Sequence, residues 1–187
     1  MIYSVTRNAH NWALNRPSFV NSRTIRANDD GGRYIGNLTE FALSKALASN
    51  AINHECVGAR KYSHDIEAGT LTIDTKAKAR NYSYIDRLDR LALDEAHVKN
   101  DQMDFECDIY VFSSVNLLPC GTADKVQLVG WIRKDLFWEY SYSVKEGDLD
   151  GSFVEAADAG KLPYSRLNNM PDLYDCLIEH LTRIRFA

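Results

Sequence analysis

Two long runs of strand-forming residues stand close together in the second half of the chain: Asp108-Ile-Tyr-Val-Phe-Ser-Ser-Val and Lys125-Val-Gln-Leu-Val-Gly-Trp-Ile-Arg. Both are rich in β-branched and aromatic side chains, and a Pro119-Cys120-Gly121 turn lies between them, so they are expected to pair in the core of a sheet. Helical periodicity appears on either side of them. Leu38, Phe41, Ala42, Ala46 and Leu47 recur at helix spacing up to about Ser49, and a final helix is expected from about Pro171 to Arg183.

The segments between these anchors fill in a mixed order. A β-compatible stretch from His54 to Tyr62, a turn at Glu67-Ala68-Gly69 and an alternating strand from Thr70 to Lys76, with Leu71 and Ile73 on one face, read as a β-hairpin. Ile85, Leu88, Leu91, Ala92 and Ala96 favour a helix over Tyr84 to Val98. A short helix is expected from Lys134 to Tyr142, followed by a loop rich in Asp and Gly. Residues 1–35 carry repeated asparagines and an Asp29-Asp30-Gly31-Gly32 turn, and read as loop-rich with one short helix near His10 to Asn15. The fold class that follows is α/β of the α+β kind, a central mixed sheet flanked by helices, without internal repeat.

A length of 187 residues suits one domain, 1–187, and a composition of 45% hydrophobic and 26% charged residues is that of a soluble globular protein. No apolar run approaches the roughly 20 residues of a membrane span, and the start Met1-Ile-Tyr-Ser-Val-Thr-Arg lacks the apolar core of a signal peptide. A cytoplasmic protein with no membrane partner is expected. Cys56, Cys107, Cys120 and Cys176 form no C-x-x-C pair, so reduced thiols are expected rather than a zinc knuckle or a disulfide framework. The net charge of −4 conceals an asymmetry: residues 1–90 hold 13 basic against 9 acidic residues, residues 91–187 hold 9 against 17. Such a division would let one face meet a polyanion if the charges also segregate in space.

The hairpin brings the chemistry. Asp65 precedes its turn and Asp74 lies on the returning strand, so pairing the two strands can bring both carboxylates together, as a hard divalent cation requires. Lys76 is two residues beyond Asp74, on the same face of the strand, where its ammonium can reach the same water or phosphate. Of nine lysines only Lys76 follows an acid by two positions. Roughly one such match is expected by chance, so structural context has to decide between a site and a solvated strand face. Glu40 has two readings: it could support a metal through water, or form a capping box with Asn37 at a helix start.

In its order of parts the chain resembles the small PD-(D/E)XK nucleases of bacteriophages and prokaryotes. Tyr34-Ile35-Gly36-Asn37-Leu38-Thr39-Glu40 is similar to the helix start that precedes their catalytic hairpin, followed here by Asp65, the turn and Ile73-Asp74-Thr75-Lys76. The Asp108-Ile-Tyr-Val-Phe and Leu128-Val-Gly-Trp-Ile-Arg-Lys segments also resemble those proteins, and the likeness covers roughly residues 33–177. The proline usual before the first Asp is His64 here. What the resemblance implies is a restriction-endonuclease-like core and a Mg2+-dependent endonuclease, with Mn2+ as a substitute, cutting DNA. Asp65 and Asp74 would bind the metal, the Thr75 carbonyl would complete its shell, and Lys76 would position the attacking water.

Lys78, Arg80, Arg26 and Arg33 are candidate phosphate contacts, against the plainer reading of solvated surface charge. Tyr82 and Tyr84, interleaved with basic residues beyond the catalytic strand, are candidates for base stacking, whereas Trp131 reads as core. His64 adjoins the site and reads as a neighbour rather than a general base. The alternatives left open are a non-cleaving nucleic-acid-binding or phage interaction protein on the same fold, and an RNase; a homodimer is compatible with each.

Overall fold

The computed structural model describes residues 1–16, 29–57, 63–81, 94–150, 153–155 and 157–185. Its centre is a six-stranded mixed sheet flanked by helices, with strand order β1-β7-β6-β4-β3-β2. These strands are β1 (Ile2–Ser4), β2 (Glu55–Cys56), β3 (Ile66–Ala68), β4 (Leu71–Asn81), β6 (Ile109–Leu117) and β7 (Ala123–Arg133). β4 and β6 run parallel, from Ile73 opposite Ile109 to Asn81 opposite Leu117, while the other neighbours are antiparallel. The pairing of β6 with β7 is as the sequence suggests. A hairpin does end in β4, with Gly69 at φ 65° in its turn, but its first arm is β3, where Glu67 and Ala68 are paired strand rather than turn; the expected arm, His54 to Tyr62, supplies β2, which pairs with β3, and residues 58–62 lie outside the described residues.

Each face of this sheet is covered differently. Ile73, Ile109, Val111 and Val115 pack beneath α1 (Arg7–Asn15), α2 (Asp29–Ser49) and the last helix, α4 (Met170–Arg185). Alternation sends Tyr110, Phe112 and Ile132 to the opposite face, where α3 (Lys134–Tyr140) and a small sheet of order β5-β11-β8 enclose a second core. Those strands are β5 (Glu95–Lys99), β8 (Tyr142–Val144) and β11 (Ala159–Pro163); β9 (Leu149–Asp150) and β10 (Phe153–Val154) form a separate hairpin. β6 is buried on both sides through eight of its nine residues, which explains why it reads as a continuous apolar run.

Several expectations are corrected. The Asp29–Gly32 run is the beginning of α2 rather than a turn, because tertiary packing from Ile35 onward outweighs the roughly 1 kcal/mol cost of each glycine. The described part of residues 1–35 therefore holds a strand and two helical segments, α1 matching the expected short helix. The Tyr84–Val98 helix falls partly outside the described residues, and its end is strand β5, paired with β11 from Glu95 opposite Pro163 to Lys99 opposite Ala159. Tyr142 likewise belongs to β8, since α3 ends at Tyr140, and the acidic loop beyond it contributes β9 and β10.

Gly130 marks a close crossing. The backbone of residues 167–169 passes over β7 there, with Trp131 N–H donating to the Asn168 carbonyl at 3.0 Å and Asn168 N–H returning a bond to Trp131 at 2.9 Å. A Cβ on Gly130 would lie 2.6 Å from the Asn168 carbonyl oxygen and 2.8 Å from Leu167 Cβ. Gly130→Ala is therefore expected to destabilise by about 1–3 kcal/mol, measured as a lower urea midpoint at unchanged slope.

Candidate functional site

The site grows out of a mismatch in strand length. β3 begins only at Ile66, so along β4 the pairing from that side stops at Ile73, whose carbonyl accepts a last hydrogen bond from Asp65 N–H at 2.9 Å. Two residues on, Thr75 N–H points to the same vacated edge with no strand to receive it. The Asp65 side chain takes the missing strand's place: its Oδ2 accepts from Thr75 N–H at 2.8 Å and from the Thr75 hydroxyl at 2.6 Å. Because a strand residue directs its N–H and C=O to one side, the Thr75 carbonyl faces this edge too.

Asp74 lies near enough to Asp65 for the two carboxylates to repel, and forms an ion pair with Lys76, Nζ to Oδ2 at 2.6 Å. Asp74 is 7% exposed. Burial above all, then the Asp65 charge, pushes its carboxyl up to about 6 against the pull of Lys76. Burial disfavours the Lys76 ammonium, but Asp74 and Asp65 more than offset this and hold its pKa above the ordinary lysine value. The ammonium also lies 5.7 Å from the centroid of the Tyr110 ring, the residue opposite Asp74 on β6.

Glu40 reaches the same region from α2. It is buried and ion-paired with Arg16, and burial followed by repulsion from Asp65 raises its carboxyl to about 8. The capping-box reading does not hold, because α2 begins at Asp29 and Asn37 lies well inside it. Asn37 instead donates from Nδ2 to the Ala13 carbonyl at 2.8 Å, tying α1 to α2.

Three carboxylates, from Glu40, Asp65 and Asp74, thus converge on two cationic side chains, Arg16 and Lys76. Fully ionised, the cluster is one negative charge in excess, and repulsion from Asp65 adds to the burial that raises its other two acids. A divalent cation at the β4 edge would relieve it, and two carboxylates with one carbonyl are a donor set that suits a hard cation retaining several waters. Among the described residues no group of three His, Cys, Asp or Glu is arranged to hold a metal, so the candidate set is Asp65, Asp74 and the Thr75 carbonyl.

The raised acids give a pH prediction. Asp74 and Glu40 bind protons more tightly in the folded chain than in the unfolded one, so the stability they contribute is complete below the unfolded carboxylate values and is lost as pH rises through about 6 and then about 8. Without added metal, thermal unfolding followed by circular dichroism should shift to lower temperature between those values. Mg2+ should raise the melting temperature more at the upper end of the window, where Asp74 is ionised and ready to ligate and the Glu40 charge adds to the excess that the cation relieves.

Other expected contacts are placed differently from one another. Lys78 and Arg80 extend along β4 and both engage buried Asp94, Lys78 at 2.8 Å. Arg33 is exposed on α2, whereas Arg26 and Tyr82 lie outside the described residues. His64 is fixed by Glu67 at 3.0 Å and by the Glu106 carbonyl at 3.1 Å, in keeping with a neighbour's role. Sequence reasoning missed Arg16 and Cys107. Arg16 lies 24 positions from Glu40 with no spacing to link them, and Cys107 is a buried thiol raised to about 12 by its burial and by Asp74. All four cysteines are free.

No protein-family profile matches the chain, and a comparison with curated proteins finds no match. No helix among the described residues is long and apolar enough to cross a membrane.

Proposed function

We propose that the chain is a metal-dependent phosphodiesterase of the PD-(D/E)XK kind, with a restriction-endonuclease-like core, cutting DNA. The observation that carries this reading is the meeting of Asp65, Asp74, the Thr75 edge and Lys76 where β3 ends beside β4. Further support comes from the order of parts: a helix carrying a buried glutamate, a catalytic hairpin, then a strand parallel to the hairpin's second arm.

Asp65, Asp74 and the Thr75 carbonyl would hold Mg2+, with Mn2+ as a substitute. When bound, the ion would supply charge neutralisation at the phosphate and acidify a bound water. Lys76 adds a cationic donor on the Asp74 side, suited to orienting a nucleophilic water and to countering charge on a phosphoryl oxygen. Its burial makes that charge more effective than it would be in water. Glu40, itself paired with Arg16, contributes through its charge near Asp65 rather than by direct ligation.

The test is cleavage of labelled single-stranded DNA, duplex DNA and RNA with Mg2+ or Mn2+ against EDTA. Cutting of DNA that needs the cation supports the reading. Cutting of RNA alone reassigns the substrate, while binding without cutting moves the chain to the non-cleaving alternative.

A further inference from the structure

β4 carries its charged residues in one row. Asp74, Lys76, Lys78 and Arg80 alternate with Thr75, Ala77 and Ala79, so all four side chains leave the same face of the strand. A small pocket of about 110 Å³ opens along this row, lined by Lys76 and Lys78 of β4, Glu95 and His97 of β5, and Phe112 and Tyr164. Lys76 belongs both to this pocket and to the candidate site, where its ammonium pairs with Asp74 at 2.6 Å, so the two are neighbours through a shared side chain.

The volume is well below the roughly 300–1,000 Å³ of sites that enclose whole small molecules, and leaves room for one compact group rather than a nucleoside. Cationic groups reach it from two elements. Lys78 is paired with Asp94 at 2.8 Å, yet its side chain is 44% exposed, and an ammonium has three donors, so it can hold Asp94 and an anion together. His97, 36% exposed, lines the pocket from β5, and its Nε2 is buried without a hydrogen bond, 3.8 Å from Glu155. Glu95, the acid in the lining, accepts a hydrogen bond from the Tyr142 hydroxyl at 2.5 Å, while Phe112 and Tyr164 are buried and add no charge. Lys161 stands opposite His97 in the β5–β11 ladder. Burial above all holds the imidazole pKa below the ordinary histidine value; Glu155 opposes this, and Lys161, Lys78 and Lys99 add to it. An anion beside the ring would counter those lysines, so anion binding and proton uptake at His97 reinforce each other.

A tetrahedral anion suits these walls in size and in charge. Over two residues β4 advances roughly 6.6 Å, so Lys78 lies beyond Lys76 by a distance of the order that separates neighbouring phosphates of one strand. We infer that this pocket seats the DNA phosphate next to the scissile one, held between Lys78 of β4 and His97 of β5. The small sheet thereby takes part in substrate binding, although the candidate metal set lies wholly on the large one. The inference rests on the phosphodiesterase reading for the identity of the phosphate; anion binding by the pocket can be tested without catalysis.

The experiment titrates the full chain, in EDTA, with inorganic phosphate and follows the imidazole resonances by NMR as pH is varied. The His97 resonance should respond saturably and its titration should move to higher pH, while His10, His54 and His180 stay unmoved. Lys78→Gln should weaken this binding about tenfold, as loss of a charge-assisted hydrogen bond does, and Lys45→Gln, on α2, should leave it unchanged. In cleavage assays His97→Gln and Lys78→Gln should each raise KM for DNA about tenfold with a smaller change in kcat. Lys78→Gln should also lower the salt-dependence slope of DNA binding by about one, which loss of a merely structural lysine would not do. The wild-type resonances keep the test decisive should Lys78→Gln fail to fold. No response at His97, an equal response at every histidine, or an unchanged phosphate affinity in folded Lys78→Gln would overturn the pocket. Phosphate binding at His97 without cleavage of any DNA would support the pocket and refute the phosphodiesterase reading, whereas cleavage without a phosphate response at His97 would do the reverse.

Discussion

Asp74→Asn and Lys76→Gln are each expected to lower metal-dependent DNA cleavage by on the order of 10³-fold, equivalent to about 4 kcal/mol of transition-state stabilisation. The two should fail for different reasons. Asp74→Asn preserves the side chain's shape but removes a negative donor from the candidate metal set, so calorimetric titration should show Mg2+ affinity lost along with activity. Lys76→Gln leaves Asp65, Asp74 and the Thr75 carbonyl in place, so metal should still bind while cutting is lost. Asp74 is buried, Lys76 is mostly covered, and the two are paired with each other; breaking a buried pair can cost about 3–5 kcal/mol, an upper figure here. Thermal unfolding of each variant is therefore measured in parallel, and rates are compared only where the protein is folded. Cleavage that persists in both folded variants would mean that the chemistry resides elsewhere.

The part of this site legible from sequence was the part that lies along one strand. Asp74, Thr75 and Lys76 are neighbours in β4, and the alternation of Leu71 and Ile73 identified that strand and its two faces. Asp65 was accessible as well, since a hairpin turn ties its position to Asp74 within a few residues. Arg16 and Cys107 were not, because they arrive through tertiary packing of α1 and through the approach to β6, and no local period encodes either meeting. The same division runs through the fold. β6 and β7 announce themselves by composition and by the turn between them, whereas β5 looks helical because Ala96 continues the helical spacing of Ile85, Leu88, Leu91 and Ala92, and only its pairing with β11 makes it a strand. The start of α2 was misread for the opposite reason. Asp and Gly are turn residues in isolation, but here they lead into an apolar helix face that buries Leu38, Ala42, Leu43, Ala46 and Leu47.

Phe137→Ala is expected to destabilise the protein by about 3–5 kcal/mol, the range for deleting a large aromatic side chain from a close-packed core. Phe137 is fully buried at the centre of an aromatic cluster, with ring centroids 5.2 Å from Trp138, 5.5 Å from Tyr110 and 5.7 Å from Phe112. None of the three neighbours can readily move into the void. Tyr110 and Phe112 are fixed in β6 between β4 and β7, and Trp138 is held on the same short helix as Phe137 itself. A loss of this size is a large fraction of the 5–15 kcal/mol that usually separates folded from unfolded chains. For a chain of this length it corresponds to a fall in melting temperature of roughly 6–20 °C. Phe137→Leu keeps most of the volume and should recover most of the loss. The cluster also underlies the candidate site, since Tyr110 lies beneath the Lys76 ammonium and opposite Asp74 across the parallel ladder. At a temperature where Phe137→Ala is still folded, its cleavage rate should therefore fall further than that of Gly130→Ala, whose added Cβ meets Leu167 and Asn168 rather than the aromatic rings. Equal residual rates in the two variants at matched stability would show that the aromatic cluster maintains the fold without orienting Lys76.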